Sequence, residues 1–267
     1  MSASAEGAGM GGKQGVAVVT GGASGIGEAC AQALVDDGLR VVVADIDLAR
    51  AQTVAARIGA LALHVDVGDE ASVQAAATEV EERVGPVAVL VNSAGIIQRP
   101  QRPHEMPLQA WDLVQRVDLR GTYLCCLAFG QAMLRRRAGA IVNISSVVGS
   151  RSAPLHSYAP AKAAVISMTQ CLAAEWGPSG IRVNSVAPGY TLTPALKDAI
   201  DRGERSLETL TASAALKRTV EPAQVAAAVS FLASPRAAAI TGVDLPVDAG
   251  WLVSTSWVTY GGLRTAD

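Results

Sequence analysis

Gly15-Val16-Ala17-Val18-Val19-Thr20-Gly21-Gly22-Ala23-Ser24-Gly25-Ile26-Gly27 is the stretch that decides the fold. Its first half is a short, β-branched apolar run that reads as a strand covered on both faces. Its second half is glycine and small residues, and a helical pattern follows to about Asp37. Strand, glycine-rich turn and helix bring backbone N–H groups and a helix N-terminus to one point, an arrangement that receives a pyrophosphate. The glycines permit the tight turn and the close approach. The spacing is Gly-x-x-x-Gly-x-Gly, not the commoner Gly-x-Gly-x-x-Gly, and taken alone it also suits an ordinary glycine-rich turn.

The rest of the chain repeats the strand-then-helix alternation. A second strand, 40–44, is followed by Asp45 and Ile46. An acid about twenty residues past the glycine-rich turn can accept both hydroxyls of an adenosine ribose; it can also cap the helix expected from Leu48. A third strand at 61–65 closes on Asp66-Val67, and a helix is expected over 70–84. The fourth strand, 87–91, ends in the small, polar turn Asn92-Ser93-Ala94-Gly95. A helical pattern spans 107–137, interrupted by Gly121, and ends in Arg135-Arg136-Arg137, which suits a helix C-terminus. Further strands follow at 140–144 and 181–186, the latter ended by Ala187-Pro188-Gly189, with a helix from Tyr158 to near Trp176 between them. Residues 190–219 are the least regular long stretch and read as a functional insertion of the lid type. A helix at 221–233 and a strand at 241–247 complete the pattern. The alternation predicts one α/β domain, a doubly wound parallel sheet of about seven strands with helices on both faces. Ligands then belong at the C-terminal strand ends, where the 21–27 turn, Asp45, Asp66, Asn92, Ser146 and Pro188 fall.

Composition agrees and excludes other classes. Half of the 267 residues are hydrophobic and 17% are charged, which suits a well-buried core. A formal charge of −2 gives no basic footprint for nucleic acid. No apolar run approaches the roughly 18 residues that span a bilayer. Residues 1–13 are expected to form a flexible tail without the marks of a signal peptide. Cys30, Cys125, Cys126 and Cys171 have no metal-ligand spacing, so no metal site is expected. Adjacent Cys125 and Cys126 read as buried thiols, in keeping with a reducing cytoplasm.

Chemistry enters at Tyr158-Ala159-Pro160-Ala161-Lys162. Tyr and Lys at i and i+4 share one helix face. An ammonium beside a phenol favours the phenolate and lowers its pKa toward neutrality, where the tyrosine can exchange a proton. Ser146, at the end of the preceding strand, can reach the same sheet edge. His156 lies two positions before Tyr158 and can also face a substrate.

These residues, in this order, resemble the short-chain dehydrogenase/reductase family over about 14–250. The resemblance assigns Gly21, Ser24, Gly25, Ile26 and Gly27 to a dinucleotide loop, Asp45 and Ile46 to the adenosine ribose, and Asp66 and Val67 to adenine. It adds Asn92, Ala94 and Gly95, then Pro188, Gly189, Thr191 and Thr193 on the nicotinamide side, with Tyr158 and Lys162 also touching the cofactor. Ser146, Tyr158 and Lys162 match the catalytic set, and the resemblance puts Asp118 at its fourth catalytic position, where the family carries an Asn and where Asp adds a charge that can pair with Lys162. The implied activity is hydride exchange between NAD and a secondary alcohol or ketone. A sugar or polyol is the first substrate class, with a 3-oxoacyl thioester reductase and an inactive NAD-binding regulator as alternatives. The family also implies a small-molecule substrate and a homotetramer. The chain continues past the matched segment, and the extension 254–267, with Trp257 and Tyr260, is expected to dock on a neighbouring subunit.

Overall fold

Alternation along β1 (Val16–Thr20) sets the layers: Ala17 and Val19 face one side of the sheet, Val16 and Val18 the other, and all four are buried. β2 (Arg40–Asp45) repeats this, with Val41 and Val43 opposite Val42 and Ala44. A strand apolar on both sides needs helices on both sides. The computed structural model, which describes residues 15–264, supplies them. The expected tail at 1–13 lies outside the described residues.

All strand pairs are parallel, in the order β3-β2-β1-β4-β5-β6-β7. The remaining strands are β3 (Leu61–His64), β4 (Val87–Asn92), β5 (Gly139–Ile144), β6 (Ile181–Pro188) and β7 (Asp244–Val247). On one face the core is closed by α1 (Gly25–Asp36), α2 (Leu48–Ile58) and α9 (Pro222–Ala233). On the other it is closed by α3 (Glu70–Glu79), α5 (Thr122–Arg136) and α6 (Tyr158–Trp176). The chain turns outward in both directions from β1 and β4, so a crevice opens between their C-terminal ends.

Three expectations are corrected. The helix expected over 107–137 is α4 (Leu108–Val114), a π-helical turn (Gln115–Gly121) and α5; the one over 70–84 ends in a π-helical turn, Val80–Val84. Gly121 passes so close to the β3–α3 connection that an added Cβ would lie 2.9 Å from Val67 Cγ2 and 3.0 Å from its carbonyl oxygen. Secondly, residues 190–219 contain α7 (Pro194–Asp201) and α8 (Leu207–Ala212). The Thr and Ser that made this stretch read as loop are the N-caps: Thr193 Oγ1 accepts from Leu196 N–H and Ser206 Oγ from Thr209 N–H, each at 3.3 Å. Finally, β7 starts at Asp244 rather than Thr241, because Gly242 adopts a left-handed φ of 78° just before it.

After β7, α10 (Trp251–Ser254) is held by Ser254 Oγ donating to Ser213 O at 2.6 Å and by Trp251 packing edge-on to Tyr190 at 5.9 Å. The segment Thr255–Tyr260 then leaves Trp257 48% and Tyr260 80% exposed. Among the described residues no helix is long and apolar enough to cross a membrane.

Candidate active site

The crevice is a cleft of about 510 Å³ whose wall includes Gly21, Ser24, Gly25, Ile26, Gly27, Asp45, Ile46, Asp66, Val67, Ala94, Gly95, Asp118, Tyr158, Lys162 and Thr193. One end is built of backbone. Gly21 has φ 63°, and a Cβ there would lie 2.6 Å from Ala94 Cα; a Cβ on Gly27 would fall on the Gly21 carbonyl oxygen. Thr20 Oγ1 accepts from Ser93 N–H at 3.2 Å and Ala94 N–H at 3.3 Å, tying the two strand ends together. The glycine-rich turn and the turn after β4 therefore touch main chain to main chain. Such a cradle admits an extended phosphate and has no room for side chains.

Asp45 sits at the cradle's rim. Its Oδ2 accepts from Ala23 N–H and its Oδ1 from Asp47 N–H, both at 3.0 Å. The carboxylate keeps lone pairs for further donors. Capping of α2 falls to Asp47, whose Oδ1 accepts from Arg50 N–H at 3.0 Å. Ile46 is 64% exposed beside it. Arg50, in the first turn of α2, also lies on the cleft wall, which its sequence position in the helix did not indicate. The segment after β6 borders the cleft, with Thr193 Cγ2 3.3 Å from the Cβ position of Gly25, and Pro194 and Asp198 on the wall. Asp66 Oδ1 accepts from Gly68 N–H at 2.8 Å and shapes the turn that carries Val67.

Several expected residues lie behind the wall. Asn92 turns into the sheet, where its Nδ2 donates to Asn143 Oδ1 at 2.9 Å. Gly189 packs on Asp248, whose Cα would meet a Gly189 Cβ at 2.7 Å, and Thr191 Oγ1 donates to Gly189 O at 3.1 Å; neither they nor Pro188 line the cleft. His156 is exposed and off the wall.

The other end carries the chemistry. Tyr158 opens α6, so Pro160 stands in the first turn, where a missing N–H costs nothing. Lys162 follows one turn on; its Nζ lies 5.4 Å from the Tyr158 ring centre, donates to Ile144 O at 3.0 Å and lies 3.3 Å from Asp118 Oδ2. Ser146, two residues past β5, is buried close to Tyr158, where its hydroxyl favours the phenolate. Burial pushes the Tyr158 phenol above its ordinary pKa; Asp118 adds to this, while Lys162 and Ser146 pull the other way. The expected lowering is thus outweighed in the free protein. Asp118 is raised by burial against the pull of Lys162 and the Ile96 N–H. Lys162 is raised because the facing Tyr158 and Asp118 together outweigh its own burial. No group of metal-ligating side chains occurs among the described residues. Cys30, Cys125 and Cys126 are buried thiols, and burial pushes Cys30 up to about 12.

The family model described as enoyl-(acyl carrier protein) reductase matches residues 21–252. The chain is 40% identical over 246 residues to a D-threitol dehydrogenase of Mycolicibacterium smegmatis, covering 89% of this chain and 93% of that one. It is 40% identical over 243 residues to a galactitol 2-dehydrogenase (L-tagatose-forming) of Cereibacter sphaeroides, covering 89% and 94%. A solved structure from Brucella melitensis 16M, described as a ribose-5-phosphate isomerase, superposes with a TM-score of 0.93 at 55% identity, covering 94% of this chain and 98% of that one. With the parallel sheet, the glycine cradle and the Ser146, Tyr158 and Lys162 constellation at one strand edge, these matches establish that the chain belongs to the short-chain dehydrogenase/reductase family.

Proposed function

We propose that this protein oxidises a secondary alcohol of a polyol or sugar with NAD, and reduces the ketone in the reverse direction. The observation that carries the reading is the Tyr158–Lys162 pair on the wall of a cleft whose other end is a phosphate cradle. The polyol-oxidising relatives support the substrate class.

Gly21, Ser24, Gly25, Ile26 and Gly27 would hold the pyrophosphate, Asp45 and Ile46 the ribose, Asp66 and Val67 the adenine; Ala94, Gly95, Lys162 and Thr193 would hold the nicotinamide end. When bound, the nicotinamide supplies the hydride acceptor. The chain's own residues manage the proton. Ser146 orients the substrate oxygen. Tyr158 takes the hydroxyl proton, so that the C–H hydrogen can leave with its electron pair and a C=O forms. Lys162, held by the Ile144 carbonyl, keeps a positive charge beside the phenol. Asp45 supports NAD over NADP: two backbone N–H groups pin its carboxylate, which would meet a 2′-phosphate as a like charge. A homotetramer in a reducing cytoplasm fits the exposed Trp257 and Tyr260 and the absence of disulfides among the described residues.

The isomerase description of the Brucella structure suggests a second reading. Aldose–ketose isomerisation moves hydrogen between adjacent carbons and has no use for the glycine cradle or Asp45. The test is a panel of threitol, galactitol, other polyols and ribose 5-phosphate, assayed with NAD, with NADP and with neither. Polyol-dependent NADH formation is expected, with NAD favoured by more than about tenfold in kcat/KM, roughly 1.4 kcal/mol of barrier. Conversion of ribose 5-phosphate without nicotinamide, and no polyol oxidation, would overturn the reading. Sedimentation of the same preparation should show a tetramer; a monomer would remove that part of the proposal.

A further inference from the structure

Asp118 is fully buried, and its two oxygens are used unequally. Oδ1 accepts from Ile96 N–H at 2.9 Å. Oδ2 has no aligned hydrogen-bond donor among the described residues, yet lies 3.3 Å from Lys162 Nζ. Gly95 leaves room for this: a Cβ there would stand 3.0 Å from Oδ2 and 3.6 Å from Nζ. A buried carboxylate without full hydrogen bonding is costly, and a packed fold keeps one seldom without consequence.

We infer that Asp118 is a positioning residue that sets the pH at which Tyr158 acts, by cancelling part of the charge that Lys162 presents to the phenol. The three groups form a closed set. From α6 come Tyr158 and Lys162, while the β4–α4 connection offers Asp118 only the Ile96 N–H, and β5 offers the Ile144 carbonyl and the neutral Ser146 hydroxyl. Charged neighbours on the same turn point elsewhere: Arg120 pairs with Glu70 at 3.1 Å, and the stem of Arg116 lies against Gly68. In this low-dielectric pocket the ammonium stabilises the phenolate, and a carboxylate in contact with the ammonium opposes it. The base form of Tyr158 is therefore harder to reach with Asp118 present than without it, and oxidation, which releases a proton, gains from higher pH. Burial and Asp118 both act on the phenol in that upward direction.

This rests on the assignment of Tyr158 as proton acceptor, but its test does not need turnover. The Tyr158 phenol is titrated in the free protein by ultraviolet difference absorbance, with Tyr158→Phe as the blank in each background. Asp118→Asn and Asp118→Ser should both lower the midpoint by about half a pH unit or more. Asp118→Glu, which keeps the charge, should not lower it. The rising limb of kcat/KM should move the same way in the neutral variants. Unchanged or raised midpoints in Asp118→Asn or Asp118→Ser, or a fall of equal size in Asp118→Glu, would overturn the inference. Normal turnover by Tyr158→Phe would defeat the proposed function instead and leave the titration result standing.

Discussion

The glycine-rich turn at 21–27 and the π-helical turn Gln115–Gly121 both deliver groups to the cleft, by opposite means. The first works by removing side chains: Gly21 and Gly27 let main chain lie on main chain at the cleft wall. The second works by an extra residue in a helix, which turns Asp118 inward against Lys162 while Gly121 clears Val67. A surface made of backbone must be written in glycine, since no other residue fits. A surface made by a register change in a helix leaves the apolar pattern almost intact, so only the lone Gly121 marks it.

Substituting the two glycines tests that contrast. Gly21→Ala places a Cβ 2.6 Å from Ala94 Cα at a φ of 63°, in a turn pinned by Thr20 Oγ1. It should cost roughly 2–4 kcal/mol of stability and reduce NAD affinity about a hundredfold or more, by thermal unfolding and calorimetric titration. Gly121→Ala meets Val67, beside the adenine end, at 2.9 Å and leaves the cradle itself alone, so it should weaken NAD binding by about tenfold or less and lower kcat as the Asp118 turn shifts. Equal losses of affinity in both variants would erase the distinction between the turns.

A smaller effect sharpens the account at the ribose end. Asp45→Ala with Ile46→Arg removes a like charge and adds a cation, so the NAD preference should fall by at least about tenfold in kcat/KM. Arg50 is the cation already on the wall there, and Arg50→Ala should cost NADP use more than NAD use. If neither change alters the ratio, Asp45 serves only to hold Ala23 and Asp47.

The parallel sheet was legible because continuous Val and Ala runs such as 16–19 can only be doubly covered strands. The cradle and the Tyr158–Lys162 face were legible because their spacing is local. What escaped depended on three-dimensional context. Arg50 stands in the first turn of a helix whose start at Leu48 was legible, but which side of that turn meets the cleft was not. The helices α7 and α8 were hidden because their caps, Thr193 and Ser206, are also loop residues. The expected lowering of the Tyr158 pKa omitted burial, which no local pattern reports and which outweighs Lys162 here. Asn92 stands at the right strand end, but its amide is committed to Asn143 inside the sheet.

The central claim is that the chemistry resides in one phenol and the binding resides elsewhere, in the cradle. Tyr158→Phe separates them, because the ring stays over Lys162 and only the hydroxyl is lost. NAD affinity by calorimetric titration should stay within about threefold of the natural protein, while kcat for the best polyol should fall by about 10²–10⁴-fold. Turnover within tenfold of normal, or loss of NAD binding in step with loss of turnover, would contradict it.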